Sequence, residues 1–589
     1  MSQELWKPEL LNKEQRSPII DAGAAVHTPP GSPWHQRMLL GAFVLLFALY
    51  VRVIGFAPVY DDNIIGEWGK LSDIPKFFTH DIFGSDGAAH SVYYRPLAVT
   101  YGFLLSYCTG GLPGWMHLGA IALLLCAFWL AYRLGCRLFG DERLALLTAL
   151  LFALHPSKVE STAWIGSSCV DALSGVFFFA ALIAFMNSRE ESDWLRWRGA
   201  SIALFACALL TKETMVVIPA ILAVMLWTSL PPGGRLLRTI KALLPYGAVA
   251  AVYLAVRHQV IRPPKADATY IHPTFTHSYL WTAPHAFWWY LRHLLWPAGL
   301  AVEYENFVLE TPTPRAFWLP AVGALLLLAI ALWFWRRNRS PLALALGCWF
   351  LLAIAPAVAV AAMVGEHDRY LYLASYPFCA LIAWMILRAG RLHRRARLAV
   401  ALGVIVLFSG LTWHEMSYWD CDLSLWSRAY QISPKLVKAE LLLASEYAQA
   451  GDTGKAFAIS DQGLRYHPLS PNLWLQRAGL LQGQDKLDEA RAAYVKVLEI
   501  TDPASDPALD PGQRARLRSA AAFQLAKMAL AAGSFIEAER YVRMAIAINF
   551  DGPAYHTILA ESLRGQGRID EADAESRLEL RLRLAKAAR

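Results

Sequence analysis

The chain has 589 residues, of which 56% are hydrophobic and only 17% are charged, and its formal net charge is +8. Its mean hydropathy is +0.33, whereas a soluble protein is usually about a quarter charged. This composition excludes a single large soluble enzyme, a disordered chain and a nucleic-acid-binding protein defined by its charge. The 22 Trp, 23 Tyr and 27 Phe residues favour many membrane interfaces, where amphipathic rings settle at headgroup depth.

The hydrophobic residues divide the chain into three parts. Residues 1–36 carry charges and prolines and have no small-residue cleavage site, so we expect a disordered cytoplasmic tail ahead of a signal anchor. Residues 37–414 consist of apolar runs, and a bilayer span needs roughly 20 apolar residues. Residues 415–589 are rich in Ala, Leu, Glu and Arg and contain no span. The sequence predicts an all-α protein, with a polytopic membrane domain over 37–414 and a soluble helical domain over 415–589.

The apolar runs predict eleven membrane spans. These are 37–58, 115–136, 144–163, 171–187, 199–210, 213–230, 240–260, 316–335, 341–363, 370–388 and 397–414. The stretch 279–300 contains Pro284 and Pro297, and we interpret it as an interfacial or re-entrant segment.

The basic residues between spans predict the orientation of the membrane domain. With a cytoplasmic N-terminus, each short inside loop carries an Arg cluster, and the outside loops are longer and mixed. An odd number of spans then places the C-terminal domain outside the cytoplasm. We expect a multi-pass protein of a bacterial inner membrane with its C-terminal domain in the periplasm.

The C-terminal part shows an internal repeat. Four Gly-then-Ala signatures end at Ala456, Ala490, Ala538 and Ala572, which are 34, 48 and 34 residues apart. The Pro- and Asp-rich stretch 502–512 accounts for the longer interval as an insertion. A 34-residue helix–turn–helix period is typical of tetratricopeptide (TPR) repeats. We therefore expect a TPR α-solenoid with a groove for a peptide or partner.

The first outside loop, predicted over 58–114, begins with the sequence VYDD at 59–62. Acidic side chains at the end of a span are costly unless they serve a site or pair with cations. A solvated start of the loop is the alternative interpretation.

Six motifs together resemble a known family. They are FFTHDIFG at 77–84, YYRPL at 93–97, GLPGWMHL at 111–118, ALHPSKVESTAW at 153–164, LTKET at 210–214 and HDRYLYL at 367–373. In this order, and followed by a repeat array, they resemble the TMTC family and its bacterial relatives. TMTC proteins are transmembrane and TPR-containing O-mannosyltransferases of the GT-C superfamily.

Two positions depart from the pattern of the family. Bacterial relatives usually carry an acidic–basic–basic–Asp run where this chain reads SSCVD at 167–171. Relatives often have Lys-Pro where this chain has Lys212 and Glu213. The sugar and the acceptor are therefore not carried over from the family.

The resemblance implies transfer of a sugar from a polyprenyl-phosphate donor to an acceptor. It nominates Asp61 and Asp62 as candidates for the general base, with Asp61 slightly favoured. The predicted phosphate-binding cations are Arg95, Arg369, Lys212 and Lys158, and headgroup anchoring or local ion pairing is their alternative role. Five further site candidates come from the same motifs, namely His155, Glu160, Tyr94, Tyr370 and His367.

We expect no metal and no cofactor. A lipid monophosphate leaves as one phosphate group, which Arg can neutralise. A divalent cation held by acids such as Asp61, Asp62 and Asp171 stays open as an alternative. The eight Cys residues show no metal-binding spacing.

Two other functions stay open from the sequence. One is a transporter or flippase of a lipid-linked glycan, although no internal symmetry of the membrane part supports it. The other is a non-catalytic TPR scaffold. The expected partners are the lipid-linked donor, a protein or peptide acceptor in the repeat groove, and membrane lipid, with no nucleic acid.

Overall fold

A computed structural model describes residues 33–62, 70–82, 93–190, 192–261, 278–313, 315–389, 393–503, 505, 509–548 and 552–587. Every regular element in these residues is helical. The predicted tail up to 32, parts of the first loop, Arg262, and residues 504 and 506–508 of the insertion lie outside the described residues. The all-helical fold that the sequence predicts is confirmed for the described part.

The described residues up to Arg428 form one compact unit, and those from Ala429 onward form a second. The first unit contains sixteen numbered α-helices, the last of which continues into the second unit. They are α1 Pro33–Tyr50, α2 Ile74–Phe77, α3 Pro96–Thr109, α4 Pro113–Phe139, α5 Glu142–Leu154, α6 Glu160–Ala163, α7 Ile165–Glu190, α8 Trp194–Thr211, α9 Ile218–Ser229, α10 Arg235–Val260, α11 Ser278–Leu295, α12 Arg315–Asn338, α13 Pro341–Val364, α14 Ser375–Arg388, α15 Arg394–Met416 and α16 Asp422–Ile432.

Short 3₁₀ turns connect several of these helices, and the turn at Asp368–Leu371 contributes to the site described below. They cover Val51–Gly55, Leu71–Asp73, Pro156–Lys158, Glu213–Val217 and Asp368–Leu371. Within α7, the residues Ser168–Ala172 form a π-helical turn. Such turns are rare and occur frequently at functional sites.

Seven helices of the described residues are long and apolar enough to cross a membrane. Their apolar stretches are His35–Gly55, Pro113–Phe139, Ile165–Glu190, Arg235–Val260, Arg315–Asn338, Pro341–Met363 and Arg394–Met416. Seven of the eleven predicted spans coincide with them, and two more coincide with the shorter apolar helices Glu213–Ser229 and Ser375–Arg388. The total number of spans stays a prediction.

The segment 58–114 differs from a simple outside loop because it contains α3. This helix has 14 residues, which is too short to span a bilayer by itself. It is nevertheless buried on one side, where Ala98, Val99 and Phe103 pack inside the protein. The sequence pattern missed α3 because a short apolar run near a predicted loop gives no span signal.

An aromatic cluster forms much of the core of the first unit. Phe152 of α5 and Phe179 of α7 lie edge-to-face with ring centroids 5.5 Å apart. Tyr376 of α14 stacks on Trp349 of α13 at 5.1 Å. Edge-to-face and offset pairs are the favoured geometries of aromatic rings. Here they connect α5, α7, α13 and α14.

The described residues of the second unit contain a run of eight helices. They are α17 Val437–Gln449, α18 Thr453–Tyr466, α19 Pro471–Gly483, α20 Leu487–Ile500, α21 Pro511–Ala531, α22 Phe535–Ile548, α23 Pro553–Gly565 and α24 Ile569–Ala587. Consecutive helices pack against each other along the run. The four alanines that end the repeat signatures are each 0% exposed. The helix–turn–helix alternation agrees with the predicted repeat, and its assignment as a TPR solenoid stays a prediction.

The boundary between the units lies later than the sequence indicates. The predicted boundary is at 414/415, whereas the units divide after Arg428, inside α16. Residues 415–428 therefore belong with the membrane-spanning unit, and they contribute directly to the surroundings of the site.

Candidate active site

A cavity of about 330 Å³ lies in the first unit, between the residues that follow α1, the start of α3, the π-helical turn of α7 and the 3₁₀ turn at 368–371. Its lining combines acidic, basic and aromatic side chains. The acids are Asp61, Asp171 and Glu303, the cations are Arg95, Lys212 and Arg369, and the aromatic residues are Tyr60, Tyr93, Trp164 and Tyr370. Charged groups converging in a concave pocket are the usual mark of a binding or catalytic site.

Asp61 presents its carboxylate to this cavity. Its Oδ1 accepts a hydrogen bond of 2.9 Å from the indole Nε1 of Trp164. Gly166 permits this arrangement, because a Cβ atom there would lie 2.9 Å from Trp164 Nε1 and 3.2 Å from Asp61 Oδ1. The indole fixes one oxygen of a carboxylate that lines the cavity.

Asp62 has a different environment, although it is the neighbour of Asp61. It is 4% exposed, and its carboxylate accepts backbone N–H groups of Gly166 at 2.8 Å, Ile165 at 3.4 Å and Val59 at 3.3 Å. Burial raises the pKa of Asp62 to about 7, and the hydrogen bond from Gly166 acts in the opposite direction. The Asp62 carboxylate therefore connects the chain that follows the first apolar helix to the start of α7, which is a structural role.

Each cation of the cavity is paired with one acid. Arg95 forms a two-pronged pair with Glu213, with Nε at 2.9 Å and Nη2 at 2.6 Å from the two carboxylate oxygens. Arg369 donates from Nη1 to Glu160 Oε1 at 2.5 Å and from its backbone N–H to Oε2 at 2.8 Å.

Lys212 forms the third pair, with Asp171. Asp171 lies in the π-helical turn of α7, and Lys212 is the residue after the end of α8. Both side chains are buried, at 4% and 5% exposure. Removing one partner of such a buried pair leaves an uncompensated charge, whereas the intact pair fixes both side chains in place.

Aromatic rings cover the same three cations. The guanidinium carbon of Arg95 lies 4.1 Å from the ring centre of Tyr93. Tyr370 lies between two cations, with its ring centre 5.2 Å from the Arg369 guanidinium carbon and 5.1 Å from Lys212 Nζ. Cations over aromatic faces gain electrostatic attraction, so the rings help to hold these charges at the cavity wall.

One departure from the family pattern, at Glu213, lies at these ion pairs, and the run that carries the other departure ends in Asp171, which keeps the Asp of the pattern. Glu213, which stands where relatives often have Pro, is the partner of Arg95. Asp171, which ends the SSCVD run, is the partner of Lys212. The sequence singled out these positions without assigning them a partner, because the pairing depends on the tertiary fold.

Lys158 is placed away from the cavity, contrary to its predicted role at the phosphate. It is 0% exposed, and its Nζ donates to Ser375 Oγ at 2.7 Å and to the Tyr372 carbonyl at 3.4 Å. The ring centres of Phe152 and Tyr372 lie 4.7 Å from Nζ. A group without exposed surface cannot reach a ligand, so these contacts are those of a structural lysine.

His155 and Tyr94 also serve the fold. His155 is 0% exposed, and its Nε2 lies 3.2 Å from the Leu294 carbonyl while Nδ1 accepts the Ser157 N–H at 3.3 Å. The hydroxyl of Tyr94 donates to the Phe78 carbonyl at 3.0 Å. Both residues were candidates because they belong to the motifs, and a motif position does not reveal which way a side chain points.

The three remaining candidates lie at or beside the cavity. His367 and Tyr370 line it, and His367 Nδ1 is 3.2 Å from Arg369 Nη1. Glu160 is 3% exposed and acts through Arg369.

Four residues near Asp61 escaped the sequence analysis as site residues, namely Tyr60, Trp164, Glu303 and Asp422. Trp164 is the last residue of the motif ALHPSKVESTAW, and this position is the feature of the sequence that could have identified it. Glu303 accepts a hydrogen bond from Tyr60 at 2.7 Å, and Asp422 accepts the Tyr60 backbone N–H at 2.8 Å. Both come from segments far along the chain that carry no recognisable motif.

No group of three or more His, Cys, Asp or Glu side chains in the described residues is arranged to hold a metal ion. Among the acids that line the cavity, Asp171 pairs with Lys212, Asp61 accepts from the Trp164 indole, and Glu303 accepts from the Tyr60 hydroxyl. Metal independence stays a prediction from the chemistry of the leaving group.

Comparison with known proteins relates the chain to protein O-mannosyltransferases. The family model described as dolichyl-phosphate-mannose-protein mannosyltransferase matches residues 97–258. Protein O-mannosyl-transferase Tmtc1 of Drosophila melanogaster is 27% identical over 300 residues, which are 45% of this chain and 34% of that protein. Human protein O-mannosyl-transferase TMTC4 is 23% identical over 493 residues, which are 72% of this chain and 66% of that protein.

A second fly relative, Tmtc2, is 31% identical over 186 residues, which are 29% of this chain and 20% of that protein. Among solved structures, the apo oligosaccharyltransferase of Archaeoglobus fulgidus has a TM-score of 0.37 at 12% identity, covering 70% of this chain and 60% of that one. The chain spans about a third or less of the two fly proteins. The resemblance to TMTC-like glycosyltransferases, predicted from the motifs, is confirmed by the family model and these relatives.

Proposed function

We propose that this protein is a membrane glycosyltransferase that moves a sugar from a polyprenyl-phosphate donor to an acceptor hydroxyl of a protein. The observation that carries the proposal is the cavity itself, which is lined by the Asp61 carboxylate together with Arg95, Lys212 and Arg369. A base for the acceptor and cations for the leaving phosphate are the two requirements of such a transfer.

Asp61 is the proposed general base. The acceptor oxygen attacks the anomeric carbon of the sugar, and the hydroxyl proton passes to the Asp61 carboxylate. The bond between the anomeric carbon and the phosphate oxygen breaks, and its electron pair leaves with the lipid phosphate. The Trp164 hydrogen bond at 2.9 Å orients the carboxylate for this transfer.

The three cations bind and stabilise the lipid phosphate. A guanidinium has five N–H donors, and Arg95 uses Nε and Nη2 for Glu213 while Arg369 uses Nη1 for Glu160. Their other donors remain for the phosphate, and the acids keep both groups in place. No metal is needed in this scheme, because charge-assisted hydrogen bonds neutralise a single phosphate.

The proposed location of the chemistry is the outer face of a bacterial inner membrane. The basic inside loops and the position of Asp61 at the end of the first apolar helix support this orientation. The helices of the second unit would bind the acceptor, or a partner that delivers it, on the same side. A periplasm-active reporter fused after Arg589 is expected to be active, and activity of a cytoplasm-only reporter there would contradict the orientation.

The function is tested by transfer from polyprenyl-phosphate sugars, starting with mannose, to protein acceptors by the purified protein in nanodiscs. Asp61→Asn should lower turnover roughly 10²- to 10⁴-fold, while donor binding persists. Asp62→Asn should act mainly on stability, because the Asp62 carboxylate holds backbone amides.

Three other results would each contradict the proposed function or the proposed base. Movement of the lipid-linked sugar across the bilayer without transfer would indicate a flippase. Donor binding without either activity would indicate a scaffold. Wild-type turnover of both Asn variants would show that the carboxylate pair is structural.

A further inference from the structure

The residue before the proposed base has an unusual backbone conformation. Tyr60 has a φ angle of +60°, in the left-handed region that side-chain-bearing residues rarely adopt. Such a conformation is energetically unfavourable and persists only when the surroundings hold it. Because Asp61 follows directly, the torsions of Tyr60 set the direction in which the Asp61 side chain leaves the backbone.

The surroundings that hold Tyr60 come from the first turns of α16. The backbone N–H of Tyr60 donates to Asp422 Oδ1 at 2.8 Å. The Tyr60 ring stacks on Trp426, with centroids 5.6 Å apart and 25° between the planes. Asp422 and Trp426 are four residues apart on one helix, which places them on the same face. Trp426 is 2% exposed, so its ring is closed to solvent.

The other side of Tyr60 is held by the cavity. Its ring lies 4.8 Å from that of Trp164, and its hydroxyl donates to Glu303 Oε1 at 2.7 Å. Trp164 is also the residue that donates to Asp61. Tyr60 therefore contacts both Trp164, which donates to Asp61, and the face of α16 that carries Asp422 and Trp426.

A further contact secures the same stretch of chain. The Ala57 backbone N–H donates to the Asp420 carbonyl at 3.0 Å. Residues 57–60 are thus bonded to residues 420–422 through two separate hydrogen bonds. This double attachment fixes the approach of the chain to Asp61.

We propose that Asp422 and Trp426 are positioning residues for Asp61, which they act on through Tyr60. This inference rests on the proposed role of Asp61 as base. Without the Asp422 hydrogen bond and the Trp426 stack, Tyr60 relaxes out of the left-handed region, and the Asp61 carboxylate rotates away from Trp164. A displacement of about 1 Å at a reacting group costs roughly 10²-fold in rate.

The residue types suit this task. Asp422 is the first residue of α16, and a carboxylate in the first turn of a helix is favoured by the helix dipole. Its Oδ1 accepts the backbone N–H of Tyr60, which lies 362 positions earlier in the chain. Asn at 422 retains an oxygen that can accept this bond, whereas Ala removes it, and this difference makes a sharp test.

The experiment measures kcat, donor dissociation constant and melting temperature for Asp422→Ala, Asp422→Asn and Trp426→Phe in nanodiscs. Asp422→Ala should lower kcat roughly 10- to 100-fold with donor affinity unchanged within about twofold. Asp422→Asn and Trp426→Phe should keep most of the activity, since each preserves the acceptor oxygen or the stacked ring. Gln431→Ala is the matched control, because Gln431 is exposed on the same helix.

A structure of the Asp422→Ala protein supplies a readout that does not depend on activity. Loss of the Trp164–Asp61 hydrogen bond together with a changed Tyr60 φ is the expected result. An unchanged Tyr60 and Asp61 in that structure overturns the inference, whether or not the protein transfers sugar. Absence of transfer by the wild-type protein overturns the proposed function alone, and wild-type kcat of Asp422→Ala beside an inactive Asp61→Asn overturns the positioning role alone.

Discussion

The indole nitrogen of Trp164 lies 2.9 Å from Oδ1 of Asp61 and donates a hydrogen bond to it. The two residues are 103 positions apart in the chain, so this bond exists only in the folded protein. It distinguishes Asp61 from Asp62, whose carboxylate is occupied by backbone amides. A carboxylate that is held by one oriented donor and lines a cavity is suited to accept a proton from a bound substrate.

A methyl group at Gly166 should disturb this relationship. The Cβ of an alanine would lie 2.9 Å from Trp164 Nε1 and 3.2 Å from Asp61 Oδ1, so one of the two groups must move. We expect Gly166→Ala to lower turnover roughly 10- to 100-fold with little change in melting temperature. Gly403→Ala is the control, since a Cβ there meets no heavy atom within 4 Å, and equal turnover of the two variants would contradict the expectation.

Substitutions in the Arg369–Glu160 ion pair can distinguish an effect on donor binding from an effect on the stability of the fold. Glu160 is 3% exposed, so Arg369→Gln alone leaves a buried carboxylate without its cation, at a cost of about 3–5 kcal/mol. The double variant Arg369→Gln/Glu160→Gln removes both charges and should recover much of this loss. Both variants should bind a polyprenyl-phosphate sugar roughly 10- to 100-fold more weakly, because charged hydrogen bonds contribute about 1.5–3 kcal/mol.

Thermal unfolding and donor titration in the same detergent measure the two effects. Wild-type donor affinity in the double variant would show that Arg369 does not bind the phosphate. Equal stability of the single and double variants would show that Glu160 tolerates the loss of its partner.

Glu366 should make stability depend on pH in a defined direction. Burial raises its pKa from 4.5 to about 7. Between these values the folded protein keeps the proton and the unfolded chain loses it, so stability falls as the pH rises from about 4.5 to 7. Asp368 acts in the same direction, since burial raises its pKa to about 7 as well.

Glu366→Gln keeps the shape of the side chain and removes its titration. The melting temperature of this variant should therefore fall less between pH 5 and 7 than that of the wild-type protein. Glu489→Gln, at an exposed position of α20, is the control for loss of one negative charge. Parallel curves for the wild-type and Glu366→Gln proteins would show that Glu366 titrates alike in the folded and unfolded states.

The repeat alanines should be intolerant of larger side chains. Ala490 is 0% exposed, so Ala490→Leu overpacks its contact and should cost about 1–3 kcal/mol. Ala492→Leu in the same helix is the control, because Ala492 is exposed. Chemical denaturation of the full chain measures the difference, and equal midpoints would mean that Ala490 has room around it.

The sequence predicts the helical fold, the position of the long apolar helices and a set of site candidates. Asp61, Arg95, Lys212 and Arg369 come from four separate motifs, and the fold places them around one cavity. Their roles stay predictions, yet their convergence depends on a tertiary arrangement that the order of motifs alone does not define.

The sequence could not predict which charges turn inward to serve the fold. Lys158 lies in the same motif as Trp164, but its amine bonds to Ser375 and lies over two rings in the core. Glu303 and Asp422 carry no motif, and they join the site only because distant segments pack beside Tyr60. Side-chain direction and long-range pairing are properties of packing, which periodicity does not encode.

The π-helical turn over Ser168–Ala172 has a consequence for engineering the chain by deletion. A π turn accommodates one residue more than an α turn, so removing Ser168 would allow α7 to continue as a regular helix. Each residue of an α-helix advances the rotation by about 100°. A deletion in the regular part of α7 would therefore rotate the helix beyond it by that angle, whereas deletion of Ser168 removes the extra residue of the π turn and leaves Gly166 and Asp171 close to their present relative orientation.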